Sequence, residues 1–160
     1  METKIVKINK PDDVNIIIAQ AHFIKTVEDV YEAIVTTAPQ IKFGIGFCES
    51  SGACLVRSEG NDEVLKKIAE DNALNLGAGH CLVVVLRNGF PINILNALKN
   101  IPEICNIFAA TANPLEVIIA ETETGRGILG VIDGARPKSV EAKDGIQWRK
   151  DFLRKIGYKL

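Results

Sequence analysis

Short apolar runs separated by helical-period segments constrain this chain more than any other feature. Val14–Ala21 (VNIIIAQA) reads as a strand buried on both faces, and Cys81–Leu86 (CLVVVL) is the most apolar run of all. Ile41–Cys48 returns as a strand in which Gly44 and Gly46 thin one face. Between these runs the period lengthens to about 3.6. Val27, Val30, Tyr31, Ile34 and Val35 form one stripe of a helix that starts at Thr26 and ends before Pro39. Val64, Leu65, Ile68 and Ala69 form the inward stripe of a second. A chain that keeps switching between the two periods folds as an α/β or α+β domain. With 160 residues, 47% of them hydrophobic, it is long enough to bury roughly 68–70% of its unfolded surface as a single domain, 1–160. Such a core needs neither disulfides nor a metal.

The remaining elements follow from local signals. Lys4–Ile8 alternates as an edge strand, Cys54–Arg57 is a hairpin partner of the preceding strand, and Ile104–Ala110, Leu115–Ala120 and Gly127–Ile132 are further strands. Thr26-x-x-Asp29 resembles a capping box, and Asn61 is placed to cap the second helix. Pro91 suits the first turn of a third helix carrying Ile92, Leu95 and Leu98, with Asn93 and Asn96 on one face. The tail, Asp144–Ile156, is an amphipathic helix around Ile146, Phe152, Leu153 and Ile156. The expected architecture is an α/β domain with a mixed β-sheet flanked by about four helices.

Composition narrows the function classes. Nineteen basic against 20 acidic side chains give a net charge of −1, so there is no basic field for unspecific nucleic-acid binding. No run of about 18 apolar residues could span a bilayer, and the N-terminus lacks the apolar stretch of a signal peptide. Cys48, Cys54, Cys81 and Cys105 form no CxxC pair and sit in or beside apolar runs, which predicts buried, reduced thiols and a cytoplasmic location.

Gly125-Arg126-Gly127-Ile128-Leu129-Gly130 matches GxGxxG by letter, but strand and turn residues follow it where a dinucleotide fingerprint would open a helix. The fold is therefore not expected to be Rossmann. Two readings remain: a tight hairpin using glycine for positive φ, or a strand–turn–strand whose amides and Arg126 receive an anion. No GxxxxGK[ST] and no HRD or DFG tripeptide occurs. Polar residues cluster where apolar strands end: Glu49-Ser50-Ser51, Arg87-Asn88, Thr111–Asn113 and Glu121–Thr124. In open parallel sheets ligands bind beyond such ends. Arg87, just before a helix start, is a candidate phosphate ligand, and Asn93 and Asn96 could reach a ribose or base edge. Asp133, ending an apolar strand beside Gly134, is the leading carboxylate for catalysis, with an Asp-Gly turn as the plain alternative. Glu121 follows the run VIIA and needs a partner there, either an arginine or a metal. His80 and His22 could each serve as a base or sit as hydrogen-bonded structural histidines.

The segments HFIKTVEDVYEA, KFGIGFCESSGACLVRSEGND and GAGHCLVVVLRNGFPINILNALKNIPEICNIFAATANPLEVIIAETETGRGILGVIDG, from about His22 to Gly134, resemble the small archaeal and bacterial adenosine-specific kinase family. The resemblance implies ATP-dependent phosphorylation of the adenosine 5′-hydroxyl to give AMP, an α/β fold unlike that of ribokinase-type sugar kinases, and self-association, as a trimer or a multiple of it. It implies ATP and Mg²⁺ as cofactors and a small-molecule nucleoside as partner, with no nucleic acid and no membrane. On that reading Glu121 or Asp133 holds Mg²⁺, Arg87 and Arg126 neutralise the transferred phosphoryl group, and Asp133 or His80 takes the proton. Glu49, Ser51, Asn93, Asn96, Thr111, Asn113, Gly125 and Gly127 are the expected substrate contacts. The alternatives are a non-catalytic adenosine or AMP sensor, which the missing phosphate motifs favour, and a structural oligomer whose glycines permit close packing.

Overall fold

The computed structural model describes residues 1–160. The elements in order are β1 (Glu2–Lys7), β2 (Asn15–Ala21), α1 (Thr26–Thr37), β3 (Lys42–Cys48), β4 (Val56–Gly60), α2 (Glu63–Leu76), β5 (Cys81–Arg87), α3 (Leu95–Lys99), β6 (Ile104–Thr111), β7 (Leu115–Glu121), β8 (Arg126–Asp133) and α4 (Lys143–Lys155). A short 3-10 turn, Pro91–Asn93, precedes α3. The α/β class and the four helices are as expected. The strands, however, divide into a five-stranded sheet ordered β4-β3-β5-β2-β6 and a three-stranded sheet ordered β1-β7-β8. Every strand pairing is antiparallel, so the sheet is not mixed. The cause is β5: β2 and β3, joined through α1, run the same way, but β5 inserts between them and pairs antiparallel with both.

The five-stranded sheet is the middle layer. On one face Ile17, Ala19, Phe43, Ile45, Phe47, Leu82, Val84 and Leu86 pack against Val27, Val30 and Ile34 of α1 and Leu98 of α3. On the other, Ile16, Ile18, Val83 and Val85 meet Leu65, Ala69, Ala73 and Leu76 of α2 and Leu115, Val117 and Ile119 of β7. Successive strand residues point to opposite faces, and both faces are covered, so β2 and β5 have no polar alternation to show.

Helix α2 lies directly on the backbone of β3. A Cβ built on Gly44 would stand 2.3 Å from the Leu65 carbonyl carbon and oxygen, and one on Gly46 would stand 2.6 Å from the Ala69 carbonyl oxygen. The helix is capped by Asp62, whose carboxylate accepts from the Leu65 N–H at 3.0 Å. Asn61 does another job: its Oδ1 accepts from the Phe43 N–H and its Nδ2 donates to the Ile41 carbonyl, both at 2.9 Å, tying the helix entrance to β3. Val64 is exposed, because the buried stripe is Leu65, Ala69, Asn72, Ala73 and Leu76. Thr26 likewise makes no capping box; its hydroxyl donates back to the Phe23 carbonyl at 2.6 Å. The tail helix α4 forms, but none of its residues is buried. All four cysteines are free, with Cys48 and Cys81 buried as expected and Cys54 and Cys105 exposed. No helix is long and apolar enough to cross a membrane.

The Gly44 contact sets a test of this packing. Gly44→Ala forces a methyl group into the α2 backbone, where no flexible side chain can yield. It should lower the unfolding free energy by about 3 kcal/mol or more, at or beyond the upper end of ordinary overpacking. A urea midpoint unchanged from the wild type would show that α2 does not seat on β3 in this way.

Candidate functional site

Three turns meet at one end of the five-stranded sheet. The β3–β4 loop brings Glu49 and Ser50, the α2–β5 turn brings Gly77 to His80, and the β7–β8 turn brings Thr124 and Gly125 up to Arg126. An isolated parallel bridge between Ala78 and Arg126 joins the second turn to β8. Two adjoining clefts open here, one of about 230 Å³ bordered by Gln20, Cys81, Phe108 and Gly127, the other of about 410 Å³ bordered by Glu49, Ser50, Leu55 and Gly125. Gly79 and Arg126 line both. The larger falls within the usual range of small-molecule sites.

The turn is tightly held. Gly77 closes α2 in the left-handed region at φ 58°, with its N–H on the Ala73 carbonyl. A Cβ on Gly79 would stand 2.9 Å from the Ser50 Cβ, so glycine is what lets the two loops touch. His80 also has positive φ, 60°, a conformation that few residues other than glycine adopt. Its N–H donates to the Cys48 carbonyl at 2.8 Å and its carbonyl accepts from the Ala21 N–H at 3.0 Å, which pins it between β3 and β2.

The His80 ring turns to the sheet face opposite Cys81. There it stacks on Phe47, with centroids 5.8 Å apart and planes at 16°, and meets His22 edge-on at 6.0 Å. Phe23, beside His22, is exposed and has φ 87°. Behind this aromatic group lies the buried carboxylate of Glu103, with Lys25 Nζ 2.7 Å from its Oε1 but not aligned as a hydrogen bond. The hydrogen bond to Asp29, with the adjacent Glu103 carboxylate, pushes the Lys25 ammonium up to about 12. The site therefore has one side of glycines and Arg126 and an aromatic side of His22, Phe23, Phe47 and His80, separated by the Gly79–His80 backbone.

Charge on the first side is organised around Glu121. Arg126 Nε and Lys4 Nζ both donate to its carboxylate. Those two hydrogen bonds, Lys4 first, hold the carboxyl below its ordinary range. Arg126 Nη1 also reaches the Asn75 and Leu76 carbonyls at 3.2 and 3.4 Å, capping the C-terminal end of α2, where a cation is favoured. Glu49 is engaged as well: the Leu55 N–H donates to it at 3.0 Å and Arg57 Nη2 at 3.1 Å, lowering its carboxyl in that order.

The other candidates lie elsewhere. Arg87 ends β5, whose seven residues separate it from Cys81 by about 20 Å. It is paired with Asp13, Nε to Oδ2 at 2.6 Å. Asp133 ends β8, about 23 Å from Arg126, and accepts on Oδ1 from Thr111 Oγ1 at 2.7 Å and Asn113 Nδ2 at 3.0 Å. This trio ties the β6–β7 turn to the end of β8. Asn93 belongs to the 3-10 turn and accepts from the Phe90 N–H at 2.8 Å, so it shares no helix face with exposed Asn96. Ser51 is exposed in the β3–β4 loop. One chain thus gathers Glu49, Glu121, Gly125, Arg126, Gly127 and the backbone of His80 at one end. Arg87, Asn93, Asn96, Thr111, Asn113 and Asp133 stand away from it. The glycines of the GxGxxG run have no positive φ, so the hairpin does not need them for that reason.

No group of three or more His, Cys, Asp or Glu side chains is placed to hold a metal ion. Glu121 and Asp133, the expected magnesium ligands, sit at opposite ends of the β7–β8 hairpin. Sequence reading missed Gln20, Gly79, Phe23 and Phe108. Only Gly79 left a signal, a second glycine after a helix that one C-terminal glycine already ends.

The model of the adenosine-specific kinase family matches residues 6–159. The chain is also similar to the PH1918 protein of Pyrococcus horikoshii OT3, known from a crystal structure, with a TM-score of 0.96 and 42% identity over 99% of this chain and 98% of that one. No curated protein matches.

The Glu121 ion pairs set a pH test. Because its carboxyl is depressed in the folded state, its stabilisation is complete above the ordinary value of 4.5 and is lost as pH falls through the lower folded value. Glu121→Gln should have a lower Tm than wild type at pH 7 and a shallower fall in Tm between pH 5 and pH 3. Parallel acid limbs for the two proteins would remove Glu121 from the electrostatics of folding.

Proposed function

Because the chain belongs to the adenosine-specific kinase family, we propose that it transfers the γ-phosphoryl group of ATP to the 5′-hydroxyl of adenosine at the end of the sheet where the three turns meet. The observation that carries this placement is Arg126, shared by two adjoining clefts and flanked by glycine turns. The sheet end offers what the reactants need. Stacking surfaces at His22, Phe23 and His80 suit a purine, and main-chain amides with a guanidinium suit phosphates.

Phosphoryl transfer asks a protein mostly for positioning and charge stabilisation. The 5′-oxygen forms a bond to the γ-phosphorus as the bond from that phosphorus to the bridging oxygen breaks, leaving ADP. Arg126, released in part from Glu121, neutralises the equatorial oxygens. Glu121 and the α2 carbonyls keep the guanidinium in place between turnovers. His80, at the boundary between the two sides of the site, accepts the hydroxyl proton. Gly79, Gly125 and Gly127 let phosphate oxygens approach the backbone. Glu49, the carboxylate that borders the cleft, would hold Mg²⁺, which would supply charge neutralisation on the phosphates.

Incubation with ATP, Mg²⁺ and adenosine should yield AMP and ADP in equal amounts. Arg126→Ala and His80→Ala should each lower kcat by about 10²-fold or more in a folded protein. Arg87→Ala and Asp133→Ala should stay within about threefold of wild type, since their side chains are occupied some 20 Å away. The reverse pattern would move the chemistry to the other end of the sheet. Binding of adenosine or AMP without turnover would select the sensor reading.

A further inference from the structure

Cys48 ends β3 and Cys81 begins β5, and the register of the two strands sets them side by side. Phe47 pairs with Leu82, so the next position along puts Cys48 opposite Cys81. The chain is still held together there, since the His80 N–H donates to the Cys48 carbonyl at 2.8 Å. Directly opposite residues of an antiparallel pair share a face. Both cysteines lie in the core layer between the five-stranded sheet and α2, Cys48 6% and Cys81 1% exposed. Cys54, in the β3–β4 loop, and Cys105, on the outer strand β6, are exposed, and neither faces another cysteine across a strand pair.

Opposed residues in an antiparallel pair have Cα atoms about 4.5 or 5.5 Å apart, and a disulfide accepts either spacing. A bond between the two sulfurs therefore asks for no slippage of β3 against β5. The adjacent Cys81 thiol holds the Cys48 thiol below its ordinary value, while Cys48 first, and then burial, hold Cys81 well above. Cys48 is thus the readier source of a thiolate, the nucleophilic form. Its Sγ donates to the Ala73 carbonyl, 3.2 Å away, the same carbonyl that accepts the Gly77 N–H where α2 closes.

Buried cysteines are ordinarily inert. These two differ in being reachable from the clefts: Cys81 borders the one of about 230 Å³ and Cys48 the one of about 410 Å³. A solute as small as hydrogen peroxide that enters either cleft meets a sulfur. Phosphoryl transfer calls for no thiol. We propose that Cys48 and Cys81 form a reversible thiol–disulfide pair, oxidised in the folded chain by hydrogen peroxide that enters through the clefts. The Cys48 thiolate attacks one peroxide oxygen and breaks the O–O bond, giving a sulfenic acid and a hydroxide that takes up the proton Cys48 gave. The Cys81 sulfur then attacks the Cys48 sulfur, the S–S bond forms, and the sulfenic hydroxyl leaves with the Cys81 proton as water. Two thiols lose two electrons and two protons, and one peroxide becomes two waters. The new bond draws the Cys48 sulfur toward Cys81 and off the Ala73 carbonyl, beneath the turn that separates the two clefts. The pair does not depend on what the clefts bind.

The test uses the full chain carrying Cys54→Ser and Cys105→Ser, which leaves only the pair. Reduced and then denatured, it should titrate both thiols. After peroxide treatment of the folded protein neither should titrate, the mass should fall by about 2 Da with no link between chains, and dithiothreitol should restore both thiols. Thiol loss should outpace hydrogen exchange of the Val83–Val85 amides, which reports opening of the sheet. With Cys81→Ser added, Cys48 should gain oxygen instead, and the mass should rise. If the variant does not fold, a non-reduced digest of peroxide-treated wild type should yield the peptides joined through Cys48 and Cys81. Thiols that still titrate overturn the inference, as do oxygen gain in place of the 2 Da loss, a link between two chains or through another cysteine, or thiol loss no faster than exchange at Val83–Val85.

Discussion

The seat of α2 on β3 is the contact from which the rest of the molecule is built. Two glycines, Gly44 and Gly46, remove the side chains that would hold the helix away, and the helix backbone settles against the strand. That approach fixes where α2 ends. Its last carbonyls then meet Arg126, its closing turn meets Ser50, and His80 is drawn between β2 and β3. Because backbone meets backbone, there is no soft side chain to absorb an error. A shift of α2 along β3 would carry the whole turn with it.

Two kinds of polar cluster result. At the Arg126 end the charges are paired but accessible, with Glu121 shared by Lys4 and Arg126 and clefts on either side of the guanidinium. At the far end, Asp133, Thr111 and Asn113 satisfy one another around a turn, and Arg87 is committed to Asp13. Residue type does not separate these clusters, since each contains a carboxylate and an arginine. What separates them is space beside the charge. Exposed charges with a cleft next to them can exchange a partner for a phosphate. Charges that staple one turn to another lose the staple if they do so.

Much of the architecture was legible because it rests on short-range pattern. The runs at Val14–Ala21 and Cys81–Leu86 predicted doubly buried strands, and β2 and β5 are the centre of the five-stranded sheet. Pro39, Gly77 and Pro91 marked boundaries within a residue or two. Errors came where two neighbours could play one part. Asn61 and Asp62 both suit a cap, and only the register of β3 against β4 hands Asn61 to the strand and Asp62 to the helix. Val64 fits a helical stripe by spacing, yet the face seated on Gly44 and Gly46 begins one residue later. Asn93 and Asn96 share a face only if their helix is unbroken, and the 3-10 turn breaks it.

By itself the sequence determined which segments are strands and helices, that their core is covered on both sides of a sheet, and that Arg126, His80 and Glu121 lie at strand ends. These depend on residue type and on spacing along the chain. Only the tertiary structure decided which strand ends share an edge of the molecule. That choice followed from β5 entering antiparallel between β2 and β3, a pairing of residues distant in sequence. In such a sheet neighbouring strands end at opposite edges, whatever their order in the chain, so polar residues that look alike in sequence stand about 20 Å apart.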